Sequence, residues 1–147
     1  MSVADLLNGM PFADHMGIEV VEAADGEAVV DLPLTEDLSS VPGRRIAHGG
    51  VTYALADAAA GAAVISLHHK PTPTVDMRID YLAPATDDLR AEATVIRDGG
   101  SVATADVRIE DADGVHVADA RGTFKTAGGD DDGGAWGVTP GDDSLAE

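Results

Sequence analysis

Two features of this chain combine residue types and spacings that could do chemistry. They are His48-Gly49-Gly50 and, nine residues after the histidine, Asp57. The glycine pair stands where a long apolar run begins at helical spacing. The first N–H groups of a helix have no intrahelical partner, and the helix dipole places partial positive charge on them. Glycine lets a carbonyl group come close to that backbone with no Cβ in the way. The segment therefore reads as an oxyanion hole, with the Gly49 N–H as the donor and Gly50 shaping the approach. Asp57 lies among Leu55, Ala56, Ala58, Ala59 and Ala60. A carboxylate in such surroundings is costly unless it has a partner or a task. A carboxylate near a polarised carbonyl can activate water or attack directly.

Spacing constrains how the two can act together. Asp57 is eight residues beyond Gly49, which is roughly 12 Å along a helix axis at about 1.5 Å per residue. The two cannot serve one carbonyl within a single helix. If both are catalytic, an antiparallel helix from a second copy must bring its Asp57 to this Gly49, which implies a two-fold dimer with composite sites. His48 reads as an anchor that fixes the loop by hydrogen bonds rather than as an acid or base. His68-His69 sit at the helix end, where polar or cationic side chains are ordinary, and no third ligand at suggestive spacing accompanies them. No metal site and no cofactor is expected. The chain has no G-x-S-x-G elbow, no G-x-G-x-x-G fingerprint and no P-loop.

The elements that must position these residues follow from periodicity. Residues 3–14 suggest a short helix interrupted near Gly9 and Pro11. Residues 17–24 and 27–34 read as strands, with Asp25-Gly26 as a tight hairpin turn. Residues 35–46 are polar, contain Pro42-Gly43 and form a loop. Residues 48–69 make a helix that is apolar over most of its circumference and therefore buried, with Gly61 marking a close approach by another backbone. Pro71 and Pro73 end it. The period then changes to two. Val75, Met77, Ile79 and Tyr81 alternate with Thr74, Asp76, Arg78 and Asp80 over residues 74–82. Strands at 89–97, 101–110 and 115–125 follow, read as a four-strand antiparallel meander in sequence order. One helix and about six strands make an α+β domain in which a curved sheet wraps the helix. Residues 1–126 are expected to hold this domain, and 127–147 an acidic Gly/Asp-rich tail without fixed structure.

Composition excludes several functions. The 147 residues suit one domain, and 44% hydrophobic content suffices for a core. With aromatics at 3%, that core must be built from Ala, Val, Leu, Ile and Met. Cysteine is absent, so disulfides, thiolate metal sites and a cysteine nucleophile are excluded. No signal peptide and no membrane span is expected, and the cytoplasm is the default location. Asp and Glu total 27 against 9 Lys and Arg, a formal net charge of −18. Such a surface repels nucleic acid and anionic lipid. The acid is spread along the whole chain, as expected of a protein adapted to a salt-rich cytoplasm, where screening relieves self-repulsion.

At His48-Gly49-Gly50 followed by Leu55 and Asp57, the chain resembles the hotdog-fold acyl-CoA thioesterases of the phenylacetyl-CoA (PaaI-like) type. Thr74-Val75-Asp76, Ile79, Tyr81-Leu82 and Pro84-Ala85 resemble the strand that follows in that family. Arg97-x-Gly99-x-Ser101-x-Ala103 and Gly114-x-x-Val117-Ala118 resemble its last hairpins. The likeness covers about residues 12–125. It implies a hotdog fold and hydrolysis of an acyl-CoA to free acid and CoA. It also implies a homodimer, or a dimer of dimers, with sites at the interface. On this resemblance the Gly49 N–H polarises the thioester carbonyl, Asp57 is general base or nucleophile, and Thr74 assists. The chain departs from the family at Pro42, where the family often has an asparagine; Ser39 or Ser40 could substitute for it. The phosphates of CoA need cations on this acidic protein, and Arg97 and Arg121 are the preferred candidates. Two other readings remain open. One is an acyl-CoA binding or regulatory module without catalysis; the other is a hotdog hydratase, whose usual N-P-x-H segment is missing here.

Overall fold

Asp25 and Gly26 both take positive φ, 54° and 80°, the conformation of a two-residue hairpin turn that keeps the right-handed twist of its strands. They join β1 (Glu19–Ala24) to β2 (Glu27–Leu32), as the Asp-Gly pair predicts. This is the first hairpin in a computed structural model that describes residues 2–127. The tail expected at 127–147 lies outside the described residues but for its first position.

Before the hairpin come two short helices, α1 (Val3–Asn8) and α2 (Pro11–Met16). Ser2 and Asp5 form a capping box at the start of α1. Pro11 stands at the N-terminus of α2, and Gly17 ends that helix at φ 80°. After β2, a 3-10 turn at Glu36–Leu38 and a loop lead to α3 (Gly49–His68). The strands β3 (Thr74–Tyr81), β4 (Leu89–Asp98), β5 (Val102–Asp111) and β6 (His116–Lys125) complete the fold.

All six strands form one antiparallel sheet in the order β1-β2-β4-β5-β6-β3. The simple meander expected after the helix is corrected at one point. β3 does not pair with β4; it lies at the far edge, against β6. The connection from β3 to β4 crosses the sheet, and β4 closes on the amino-terminal hairpin through β2. Alternation alone fixes which face a strand buries, not which neighbour it takes.

The helix α3 lies across one face of this sheet and supplies its centre. Leu55, Ala56, Ala59, Ala60, Ala63 and Val64 are fully buried. They meet Val30, Leu32, Ala91, Ala103, Ala105, Ile109 and Phe124 from the strands. Alanines on both surfaces let the helix lie close to the sheet. Gly61 packs against the ring of Phe124 rather than another backbone: a Cβ there would stand 3.5 Å from Phe124 Cε1. Gly122 is required more strictly, since a Cβ would lie 2.5 Å from Met77 Cε and 2.8 Å from Phe124 Cε2. With only one charged residue in its twenty, α3 is long and apolar enough to cross a bilayer, which the sequence reading did not expect. Its burial against the sheet makes it a core helix.

The sheet's two edges differ. Along β1, the Asn8 side chain donates to Val20 O (3.0 Å) and accepts from Val20 N (2.7 Å). This covers the edge beside the irregularity between Val20 and Glu22. Along β3 nothing comparable exists among the described residues, and Val75 and Tyr81 are 62% and 53% exposed.

Candidate active site

The loop before α3 sets the helix start. Ala47 N donates to Ala85 O (2.8 Å) and His48 N to Leu38 O (2.9 Å). Ser39 Oγ donates to Val41 O and accepts from Val41 N and Ile46 N. Ser40 Oγ donates to Ile46 O at 3.4 Å. Both serine hydroxyls therefore brace the loop that carries Pro42.

His48 is the N-cap of α3, with extended backbone angles (φ −58°, ψ 141°). Its Nδ1 accepts from Gly50 N at 2.9 Å, so the ring proton is on Nε2. Its carbonyl accepts from Val51 N (2.8 Å) and Thr52 N (3.4 Å). The Thr52 bond is the first ordinary turn of the helix; of the four free donors at its start, the His48 N–H goes to Leu38 O, and His48 itself satisfies Gly50 and Val51. The fourth, the Gly49 N–H, has no partner among the described residues. A helix of twenty residues places the positive end of its dipole at this donor.

Gly49 lines a depression of about 400 Å³, together with Ile46, Ala47, Thr52, Tyr81 and the segment from Leu82 to Ala85. Its walls are mostly apolar. Tyr81 reaches in from the end of β3 and donates its hydroxyl to Gly49 O at 2.7 Å. Burial, then the neighbouring Tyr53, pushes the Tyr81 phenol above its usual pKa, so it keeps the proton it donates. Sequence reasoning did not single out this residue, although tyrosine occurs only twice in the chain. Tyr53 makes the reciprocal link, from α3 to Met77 O of β3 at 3.3 Å.

Two turns further along α3, Asp57 is half-buried on the face turned toward β3. Thr74, first residue of β3, donates its hydroxyl to Asp57 Oδ1 at 2.7 Å. No other hydrogen bond to this carboxylate is present among the described residues. The sequence-predicted residues thus fall into two groups within one chain. His48, Gly49 and Gly50 gather at the start of α3 with Tyr81; Asp57 and Thr74 gather at the opposite end of β3.

The two arginines lie elsewhere. Arg121 is on the face of the sheet away from α3, gripped by Asp106 through Nε (2.6 Å) and Nη2 (3.0 Å), and this partner holds its pKa above the ordinary guanidinium value. Arg97 is exposed near the end of β4, opposite Thr104 of β5, with no ion pair among the described residues. Within one chain neither is brought to Gly49 or Asp57. No cluster of three or more potential metal ligands occurs among the described residues.

Comparison with known proteins places this arrangement. The family model described as the thioesterase superfamily matches residues 45–118, from the loop before α3 into β6. A protein of Halobacterium salinarum bearing the name of an esterase is 37% identical over 121 residues, covering 75% of this chain and 80% of its own length. A medium/long-chain acyl-CoA thioesterase of Salmonella typhimurium is 26% identical over 78% of this chain and 84% of its own. Among solved structures, the Escherichia coli PaaI protein of the phenylacetic acid degradation operon superposes with a TM-score of 0.75 at 29% identity, covering 85% of this chain and 90% of that one. A family match over half of the chain, on the helix and strands that carry the two groups just described, means that this protein belongs to the thioesterase superfamily, in its hotdog fold.

Proposed function

We propose that this thioesterase hydrolyses acyl-CoA thioesters to the free acid and CoA at composite sites shared by two subunits. The observation that carries the reading is the Gly49 N–H, without a partner among the described residues, at the wall of a mostly apolar depression, while the nearest candidate carboxylate on the same helix stands about 12 Å further along it. Gly49 of one subunit works with Asp57 of its partner.

The chemistry then runs as follows. The thioester carbonyl oxygen accepts from the Gly49 N–H, which grows stronger as negative charge develops on that oxygen. Asp57 of the partner takes a proton from water as the water oxygen attacks the carbonyl carbon. Alternatively, its carboxylate attacks directly and water later cleaves the mixed anhydride. Either way the C–S bond breaks and CoA leaves as the thiolate; on the first route it takes the proton held by Asp57, and on the second it takes one from solvent, which the water that later cleaves the anhydride returns. Thr74 holds Oδ1 of Asp57 and leaves Oδ2 free for this work. Gly50 keeps the approach to the carbonyl open.

The name of the Salmonella relative supports a CoA thioester as substrate. Arg97, exposed and without an ion pair among the described residues, is the better placed of the two arginines to meet CoA phosphates. Arg121 would first have to leave Asp106. The open edge at β3 supports a second copy as the dimer partner. The acidic composition and the Halobacterium relative support work in a salt-rich cytoplasm.

The test is thiol release from a panel of aromatic, medium-chain and long-chain acyl-CoAs in molar KCl, with Asp57→Ala beside wild type. Wild type is expected to release thiol and the variant at least about a hundredfold less, the scale for loss of a catalytic base. Full activity in Asp57→Ala would remove the mechanism. No release from any substrate, with binding retained, would favour a non-catalytic acyl-CoA module.

A further inference from the structure

We propose that Tyr81 is a positioning residue for hydrolysis, holding the Gly49–Gly50 peptide so that the Gly49 N–H stays aimed at the substrate carbonyl. This rests on the reading of Gly49 as the oxyanion donor.

Consecutive glycines at a catalytic helix start pose a problem. They admit the substrate closely, but their φ and ψ are the least restrained of any residue. A donor that wanders loses the benefit of preorganisation, because transition-state stabilisation depends on a dipole fixed beforehand. The chain restrains the pair from both sides. On one side the Gly50 N–H is bonded to His48 Nδ1. On the other the Gly49 carbonyl accepts the Tyr81 hydroxyl. These are the two ends of a single peptide unit, so its plane is fixed across its width. The preceding unit is fixed through the His48 carbonyl, which takes Val51 N and Thr52 N. The Gly49 N–H lies in this preceding unit; with the next unit held by Tyr81 and His48, rotation about the bonds at Gly49 Cα is restrained and the donor keeps its direction.

The phenol is suited to the task. It comes from β3, outside the helix, so it refers the helix start to the sheet. A Cβ on Gly49 would stand 3.3 Å from the Tyr81 hydroxyl, so the ring stands directly beside the donor and forms part of the wall of the depression. A carbonyl oxygen has two lone pairs, and the tyrosine takes one without displacing the helical bond. Its raised pKa keeps it a donor well into alkaline solution.

Tyr53 supplies the internal control. It also links α3 to β3 by a hydroxyl-to-carbonyl bond, but to Met77 O, away from the glycine pair. Tyr81→Phe and Tyr53→Phe each remove one such bond and keep the ring. Steady-state kinetics are measured in molar KCl on the acyl-CoA that wild type hydrolyses fastest. Tyr81→Phe is expected to lower kcat about tenfold, less than outright loss of an oxyanion donor, with KM within about twofold. Tyr53→Phe should keep kcat near wild type. Backbone ¹⁵N relaxation gives a readout free of activity. Gly49 and Gly50 should lose at least about 0.1 from a rigid order parameter of about 0.85 in Tyr81→Phe, and not in Tyr53→Phe. Unchanged order parameters at both glycines, or an equal kcat loss in the two variants, would overturn the role. If wild type hydrolyses no thioester, the functional reading fails, and the relaxation data still decide whether Tyr81 holds the peptide.

Discussion

Gly49→Pro removes one hydrogen atom's worth of chemistry from the site and little else. Proline is favoured at the first position of a helix, where its missing N–H would be unpaired in any case. The residue before proline must be extended, and His48 already is, at φ −58° and ψ 141°. The new Cβ would stand 3.3 Å from the Tyr81 hydroxyl, a contact that a small shift of the phenol relieves. The variant should therefore fold and melt close to wild type. Its kcat should fall about 100- to 1000-fold, the effect of losing one oxyanion donor. The proposed composite sites make a second, sharper expectation. Mixing equal amounts of Gly49→Pro and Asp57→Ala subunits, with exchange followed by native mass spectrometry, yields about half mixed dimers. Each mixed dimer holds one site with both defects and one with neither, so the mixture should recover about a quarter of wild-type activity. If Gly49 and Asp57 of the same chain formed the site, every site would carry a defect and recovery would be nil. Gly49→Pro activity within about tenfold of wild type would refute the oxyanion assignment; verified mixed dimers without recovery would refute the shared site.

Gly122→Ala should destabilise the fold by about 1–3 kcal/mol, seen as a lower denaturant midpoint, because its Cβ meets Met77 Cε and Phe124 Cε2 and the ring is held in turn by Gly61. Salt should stabilise the protein strongly: with a net charge of −18 and a screening length that shrinks from about 30 Å at 0.01 M to about 3 Å at 1 M, the melting temperature should rise steeply from dilute buffer to molar KCl. A flat curve would count against adaptation to salt.

Much of this fold is written in local patterns. The Asp25-Gly26 turn, the break at Gly9 and Pro11, and the limits of α3 follow from single residues whose backbone preferences are strong. The strands follow from alternation. What local pattern could not convey is the neighbour of β3. Val75, Met77, Ile79 and Tyr81 alternate as a half-buried strand should, yet only Met77 is buried and Val75 and Tyr81 are open. Their apolar character serves an edge, and edge position depends on the path of the connection from residue 82 to 88. The separation of Gly49 from Asp57 was legible, because helical rise is fixed. The pairing of Asp57 with Thr74 was accessible only through family likeness, since the two are seventeen residues apart. The roles of Tyr81 and Asn8 were not legible, because both act on backbone groups distant in sequence. Scarcity was the one available signal: the chain has two tyrosines, and both bridge α3 and β3.

The edges of the sheet bear on how two half-sites become whole. An exposed strand edge is a template for another strand. At β1 the Asn8 side chain occupies that template; at β3 no described residue does. That open strand also joins the two halves of the chemistry. Thr74, at its start, holds Asp57; Tyr81, at its end, holds Gly49. Seven residues at about 3.4 Å each separate these ends by roughly 24 Å. An antiparallel pairing of β3 with β3 of a second copy, about a two-fold axis through the middle of the strand, reverses one copy against the other. It sets the Thr74 end of each beside the Tyr81 end of its partner, and so the carboxylate of each beside the free N–H of the other. On the proposed mechanism, β3 is thus the element whose pairing would complete both sites at once, and an isolated chain, however well folded, would hold the proposed oxyanion donor without its base.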